Sequence, residues 1–256
     1  MMLNIRGKSL RHIESNSEYY GCTFYLDEKR FYSIDNSYFD NCSFRSNIKF
    51  RGLEDCKFVS CGFSDKFSLE VIRPLERIPE YMLNLTSLTE LSLLGQQLLS
   101  VPKEIRRLTS LKKLILRENQ LPELPTTIGE LQSLMWLDIS GNYLQYLPIE
   151  IGKLRSLVSF DISDNFLREL PPSIGHLIAL EALNLTNNRL TNLSGEIGRL
   201  QSIKELHLRG NELTHLPIDE ITQLTTLKRL SLSSNPIQSR ELEWLREHLP
   251  NCDSWF

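Results

Sequence analysis

The sequence has no long apolar run. None of its segments approaches the roughly 18 apolar residues of a membrane-spanning helix. The opening residues, Met1 to Lys8, lack the apolar stretch of about 7 to 15 residues found in a secretory signal peptide. We therefore expect a protein that does not insert into a membrane and that resides in the cytoplasm, with non-classical secretion as the alternative.

A strong excess of charge of one sign is also missing. The chain has 29 Lys and Arg residues against 32 Asp and Glu residues, which gives a net charge of −3 over 256 residues. Without a basic run or a basic balance, it offers no electrostatic footprint for nucleic acid. Its 5 histidines are scattered, and no phosphate loop, nucleophile elbow or metal motif occurs. We expect no nucleic-acid partner, no cofactor and no enzymatic activity.

Cysteine is scarce, and most of it lies in one place. Of the 5 cysteines, Cys22, Cys42, Cys56 and Cys61 all precede residue 65. An odd number of cysteines without a signal peptide favours reduced thiols, and free cysteine packs like a small apolar residue. These residues are therefore predicted to line a core. Two alternatives stay open, a zinc site built from the four cysteines and, if the protein is secreted, disulfides.

What the sequence does contain is a long internal repeat. Residues 88–238 follow the pattern L-x-x-L-x-L-x-x-N-x-L-x-x-L-P-x-x-I-G-x-L-x-x with a period of 23 residues. Only the last step is 24 residues long, because one residue is inserted near Asp219. The repeats begin at Leu88, Leu111, Leu134, Leu157, Leu180, Ile203 and Leu227.

This pattern resembles the 23-residue LPxxIGxL class of leucine-rich repeats, which occurs in small bacterial repeat proteins and in the Ras-group repeat scaffolds of plants and animals. The resemblance implies an α/β repeat solenoid, a right-handed horseshoe with a parallel β-sheet on its concave face. Its convex side would carry short helical, 3₁₀ or extended segments. The resemblance also implies a surface that binds a protein partner rather than an active site.

The residue types within each repeat fit such a coil. Alternating leucines point to one side of a short strand, and stacked repeats join these strands in a parallel sheet. Proline in the Leu-Pro step fixes φ and favours an extended return arm, although Leu193-Ser194 lacks it. Asparagine amides are predicted to satisfy buried backbone groups where each strand turns away. This ladder consists of Asn119, Asn142, Asn165, Asn188, Asn211 and Asn235.

The N-terminal part follows a different rhythm. Cys22, Cys42 and Cys61 each begin a C-x-F triplet, each follows an aromatic residue by three positions, and the triplets lie 20 and 19 residues apart. Near residue 60 an apolar residue also recurs every five positions, which resembles the four-sided β-helix of pentapeptide-repeat proteins. Over residues 20–64, a pentapeptide helix and degenerate leucine-rich repeats both stay open. Both predict stacked short strands.

These patterns divide the chain into four parts. Residues 1–64 are expected to form an N-terminal β-solenoid-like cap, residues 65–87 a degenerate transitional repeat, and residues 88–238 the regular repeats. Residues 239–256 should form a C-terminal helical cap. In that cap Ser239 is the predicted N-cap, and Leu242, Leu245 and Leu249 share the face that covers the last repeat.

The strand residues between the leucines should point outward on the concave face. Most are polar, but Ile115 and Trp136 lie on neighbouring repeats with Leu94 one repeat further, which is the composition of a binding hot spot. The alternative is that Trp136 lies flat over its neighbours or meets the N-terminal part. Aspartates make the middle of the face acidic, and the last repeats are basic. The predicted partner-binding residues are Leu94, Lys113, Ile115, Arg117, Trp136, Asp138, Asp161, His207, Arg209 and Arg229.

The main hypothesis is therefore a non-catalytic, monomeric module that binds an unidentified protein on its concave face. A secreted bacterial effector or surface adhesin with the same binding mode is the first alternative. A metal-binding protein that uses the N-terminal cysteines is the second.

Overall fold

The N-terminal part winds into a coil of short parallel strands. The computed structural model describes residues 3–26, 30–35, 37–40, 42–45, 48–54, 56–59, 61–63, 67–70, 75–249 and 252–255. The strands of this part are β1 (Leu3–Arg6), β2 (Ser9–Leu10), β3 (Ser17–Tyr20), β4 (Thr23–Phe24), β5 (Phe31–Asp35), β6 (Tyr38–Asp40), β7 (Ser43–Phe44), β8 (Ile48–Glu54), β9 (Lys57–Val59), β10 (Gly62–Phe63) and β11 (Phe67–Glu70).

These strands form three sides of the coil. One sheet has the order β1-β3-β6-β9, a second has the order β10-β7-β4-β2, and β5, β8 and β11 belong to a third. Tyr19 pairs with Phe39, and Phe39 pairs with Phe58, which are the predicted steps of 20 and 19 residues. The described strands thus give three sides per turn, where the pentapeptide resemblance implies four.

Aromatic rings fill the inside of this coil. The Tyr19 and Phe39 rings stack with centroids 4.9 Å apart, and Phe39 stacks on Phe58 at 4.6 Å. A second stack joins Phe24 and Phe44 at 4.7 Å. The aromatic and C-x-F positions of the sequence therefore place rings on two sides of one core. Each such pair contributes about 0.5–1.5 kcal/mol beyond the burial of its surface.

The regular repeats add one strand each to the third sheet. After α1 (Glu80–Leu83), all neighbouring strands pair in parallel, so that the sheet has 11 strands among the described residues. The repeat strands are β12 (Glu90–Ser92), β13 (Lys113–Ile115), β14 (Trp136–Asp138), β15 (Ser159–Asp161), β16 (Ala182–Asn184), β17 (Glu205–His207) and β18 (Arg229–Ser231).

A short helix forms the opposite side of each repeat. The 24-residue repeat has an α-helix, α2 (Ile218–Thr222), where the others have a tighter 3₁₀-helix. The inserted residue near Asp219 lies within this helix. The 3₁₀-helices span Lys103–Arg107, Thr126–Glu130, Ile149–Lys153, Pro172–His176 and Gly195–Arg199.

The return arm explains the Leu-Pro and Ile-Gly steps. Pro148 has φ −64° and ψ 145°, an extended conformation that leads into the 3₁₀-helix. Ser194 replaces the proline with φ −64° and ψ 142°, and its side chain accepts a hydrogen bond from the Glu196 backbone N–H. A Cβ added to Gly152 would lie well within 3.0 Å of the Ser173 carbonyl oxygen of the next repeat. Glycine is therefore required there by the close approach of adjacent repeats.

One apolar core runs through the whole coil, from Tyr19 to Leu245. The three leucine positions of the repeat strands, such as Leu111, Leu114 and Leu116, are fully buried. Burying one such side chain stabilises the fold by about 1.5–3 kcal/mol. Because each repeat lends one face to its neighbours, stability is shared along the array.

The C-terminal end is covered by α3 (Ser239–His248), in which Leu245 is buried and Leu242 is half-buried. The predicted N-cap is wrong by one residue, because Gln238 occupies that position and makes no side-chain capping bond. A strand that the sequence did not predict, β19 (Asp253–Trp255), then pairs with β18 and ends the large sheet. No helix among the described residues is long and apolar enough to cross a membrane.

Candidate interaction surface on the concave face

The sheet side of the repeats presents a regular outward face. In each strand of the repeats the middle residue is buried and the two flanking residues are partly exposed. Strands lie about 4.8 Å apart, whereas helical segments need more width, so the sheet side is the concave one. This geometry places the predicted outward residues where they can contact a partner.

Three apolar side chains interrupt this polar face. Trp136 is 51% exposed, Leu94 is 47% exposed, and Ile115 is half-buried. Trp136 pairs with Lys113 and Ile115 pairs with Asp138, so Ile115 lies diagonally from Trp136 across one strand spacing. We call Leu94, Ile115 and Trp136 the apolar diagonal. Met135, which sequence reasoning missed, is also exposed and extends this surface at the edge of the sheet.

The polar residues beside the apolar diagonal are weakly constrained. Lys113 lies directly next to Trp136 in the sheet register. The Arg117 Nε atom lies 3.0 Å from Glu118 Oε1, and both side chains are more than half exposed. An exposed ion pair of this kind contributes little to stability. Both cations therefore remain available to a partner.

The acidic middle of the face has a partly internal role. Asp138 Oδ1 accepts hydrogen bonds from the Ser140 backbone N–H at 3.0 Å and from the Ser140 hydroxyl at 2.6 Å. Asp161 is bonded in the same way to Ser163, and its Oδ2 also accepts from Asn184 Nδ2 at 3.0 Å. These carboxylates thus order the ends of their own strands.

The basic residues gather at the last two repeat strands. Glu205 lies between two of them, with Oε1 2.5 Å from Arg229 Nη1 and Oε2 3.5 Å from His207 Nε2. A depression of about 300 Å³ opens between these strands. We call it the basic pocket, and its walls are His207, Arg209, Arg229, Leu230, Ser231 and Ser233.

The asparagines lie beneath the end of this face and hold the turns. Asn165 Nδ2 donates to the carbonyls of Ile139 at 3.0 Å and Ile162 at 3.2 Å, while Oδ1 accepts from the Leu144 N–H at 3.0 Å. Asn142, Asn188, Asn211 and Asn235 make equivalent bonds in their repeats, and Asn119 does so in the first.

A second aromatic surface lies on the rim of the repeats, which sequence reasoning missed. Tyr143 and Phe166 stack at 6.0 Å, and Arg189 Cζ lies 4.6 Å above the Phe166 ring. These residues follow successive ladder asparagines at the same 23-residue spacing, which is the signal that could have found them. Nearby, the Tyr146 hydroxyl donates to Glu123 Oε2 at 2.7 Å, and this bond raises the pKa of Tyr146.

The N-terminal cysteines do not converge. Cys22 and Cys42 follow aligned strands and are buried, and both thiols donate to backbone carbonyls. A hydrogen bond from Cys61 lowers the pKa of Cys42 to about 7, although burial acts in the opposite direction. Cys56 precedes β9 and lies in the column of Ser37 instead. In the described parts of the chain, no group of three or more His, Cys, Asp and Glu side chains could hold a metal ion.

Comparison with known proteins agrees with the repeat architecture. A family model described as a leucine-rich repeat region matches residues 136–252. Comparison with curated protein sequences gives no match.

Solved structures extend this likeness to the fold. An internalin from Listeria monocytogenes is 19% identical with a TM-score of 0.67, and the match covers 94% of this chain and 74% of the internalin. The leucine-rich repeat domain of the type III effector XopL is 26% identical with a TM-score of 0.60, over 75% of this chain and 76% of that domain. The ectodomain of the Arabidopsis thaliana receptor kinase GASSHO1, solved in complex with Casparian strip integrity factor 2, is 23% identical with a TM-score of 0.62, over 92% of this chain and 33% of the ectodomain. The family match and the shared fold show that the chain is a leucine-rich-repeat solenoid.

Proposed function

We propose that this solenoid is a non-catalytic, monomeric module that binds a protein partner on the concave face of its repeats. The observation that carries the proposal is the apolar diagonal. Trp136 leaves half of its surface exposed on a face whose other outward residues are mostly polar. Tryptophan is enriched among the residues that dominate binding energy, and such residues are surrounded by polar contacts that exclude water.

The surroundings of the diagonal fit that role. Lys113 and Asp138 flank Trp136 and Ile115 in the sheet register. A partner that covers the apolar diagonal would therefore meet charged groups of both signs at its rim. The leucines and ladder asparagines are already buried within the fold, so they are not available for recognition.

The proposal is tested by replacing the exposed residues. Trp136→Ala should weaken partner binding by at least about 30-fold, which corresponds to about 2 kcal/mol. Ile115→Ala should weaken it less, since Ile115 is already half-buried. Capture from the source-cell lysate, compared between wild type and each variant and followed by a binding titration of the captured protein, measures this effect.

Matched controls separate binding from folding. Tyr25→Ala and Ile178→Ala remove exposed apolar side chains away from the concave strands, at 52% and 54% exposure. They should leave binding unchanged, and all four variants should keep the wild-type thermal midpoint within a few degrees. Partner binding that survives Trp136→Ala and Ile115→Ala together would contradict the proposed site.

The second candidate is the same binding mode in a secreted effector or adhesin. It is favoured by the 26% identity with the repeat domain of a type III effector. Fractionation of the source culture distinguishes the two, because a secreted protein would accumulate outside the producing cell. A protein found only in the cell lysate would contradict secretion and leave the binding proposal intact.

A further inference from the structure

The basic pocket has the chemistry of an anion site. Its walls combine the Arg209 and Arg229 guanidinium groups, the His207 imidazole and the hydroxyls of Ser231 and Ser233. These groups lie on two adjacent strands, because His207 pairs directly with Ser231. Guanidinium and hydroxyl groups that converge on one depression suit the several acceptor oxygens of a carboxylate or phosphate.

The charges around the pocket are unequally engaged. Arg229 pairs with Glu205 and lies next to Asp253 in the sheet register. Arg209 is exposed, and its guanidinium has no ion-pair partner within the described part of the chain. The hydroxyls of Ser231 and Ser233 likewise make no hydrogen bond to a described residue. Arg209 and the two serines therefore hold donors that an incoming oxyanion could use.

We propose that the basic pocket binds an oxyanion, a carboxylate or a phosphate monoester group, presented by the protein partner. This inference rests on the proposed function, since it assigns a chemical group to the partner that covers the concave face. Trp136 lies on β14 and the pocket lies between β17 and β18, about 14–19 Å away at the usual strand spacing. At that distance, effects of substitutions at the two places should be independent.

The pocket can be tested without the partner. We would titrate the full chain with inorganic phosphate and, separately, with acetate, and follow backbone amide signals by NMR. The signals of His207, Arg209, Ser231 and Ser233 should shift saturably. Stronger binding of phosphate would indicate a phosphate monoester, and equal or stronger binding of acetate would indicate a carboxylate. If neither anion shifts these signals saturably, the proposal is overturned.

Variants assign the response to the pocket. Arg209→Gln should weaken anion binding by about tenfold, the loss expected for one charge-assisted hydrogen bond. Arg168→Gln makes the same change of charge at an exposed position outside the pocket and should leave the titration unchanged. An equal loss in both variants would mean that the anions respond only to net charge and would overturn the pocket.

The same experiment separates this inference from the proposed function. Trp136→Ala should abolish partner capture and leave the phosphate titration unchanged. An anion-binding pocket in a protein whose partner ignores Trp136 would reject the apolar site alone. Trp136-dependent capture without any anion response would reject the pocket alone.

Discussion

Replacement of one ladder asparagine tests how the repeats are held together. In Asn165→Ala, the Leu144 N–H loses the side-chain oxygen that accepts its hydrogen bond. The two carbonyls that Asn165 contacts are less affected, because each also accepts from a neighbouring rung. Ile139 O is bonded by Asn142 Nδ2 at 2.9 Å, and Ile162 O is bonded by Asn188 Nδ2 at 3.0 Å. The variant therefore leaves one buried donor unsatisfied and two acceptors half satisfied.

The magnitude follows from that inventory. A buried unsatisfied N–H costs about 1–3 kcal/mol, and each further lost hydrogen bond costs about 1 kcal/mol at most when its acceptor keeps another donor. We expect Asn165→Ala to lower the free energy of unfolding by about 2–4 kcal/mol. Asn165→Asp should cost more, because it keeps the acceptor for Leu144 but turns a carboxyl group toward two carbonyls.

Position along the ladder supplies an internal comparison. Asn235 makes the same kind of bonds but is only partly buried, so water can replace its amide more easily. Asn235→Ala should therefore cost less than Asn165→Ala. Asn192 is exposed, so Asn192→Ala should change stability by no more than about 0.5 kcal/mol.

Urea unfolding measures this order, and hydrogen exchange locates its cause. The Leu144 amide should lose protection in Asn165→Ala more than amides in distant repeats do. If Asn165→Ala and Asn192→Ala were equally stable, or if Leu144 kept its protection, the ladder would not hold the turns in the way that its geometry indicates.

Two further predictions concern single contacts. Gly152→Ala should destabilise the protein by about 1–3 kcal/mol in thermal unfolding, since the added Cβ meets the Ser173 backbone, whereas Gly195→Ala meets only the movable end of Glu220 and should be nearly neutral. Glu123→Gln should lower the pKa of Tyr146 toward the ordinary tyrosine value of about 10, because the carboxylate that raises it is removed. NMR titration of the tyrosine rings, with Tyr143 as the comparison, measures this shift. A Tyr146 pKa that stays raised in the variant would exclude Glu123 as its cause.

The repeat strands could be predicted because three independent signals coincide in each of them. Leucine alternation, the asparagine and the Leu-Pro step recur at a fixed spacing, so an error in one repeat is corrected by the others. The exposure of Trp136 follows from the same register, since its neighbour Leu137 points into the core and adjacent strand residues alternate. The fold was therefore predictable wherever the sequence repeats itself.

Elements defined by their partner rather than by their own residues were not predictable. β19 has no alternating apolar pattern, and it is a strand because Ser254 pairs with Leu230. The N-terminal coil contains strands of two residues, which are too short to show a period. The basic pocket depends on side chains from two strands whose sequence positions lie more than 20 residues apart, so no local motif marks it.

The continuity of the large sheet explains how two kinds of coil coexist in one chain. Phe50 pairs with Leu69, and Leu69 pairs with Leu91, so the inward column of the repeats begins in the N-terminal part. Parallel strands keep the same spacing whether a turn contains about 20 residues or 23. The two coils differ only on their other sides, where the N-terminal turns have two further strands and the repeats have an extended arm with a 3₁₀-helix. Curvature should therefore begin where the helices begin, which places the concave face on β12 to β18 and leaves the N-terminal coil to cover the open apolar end of the first repeat.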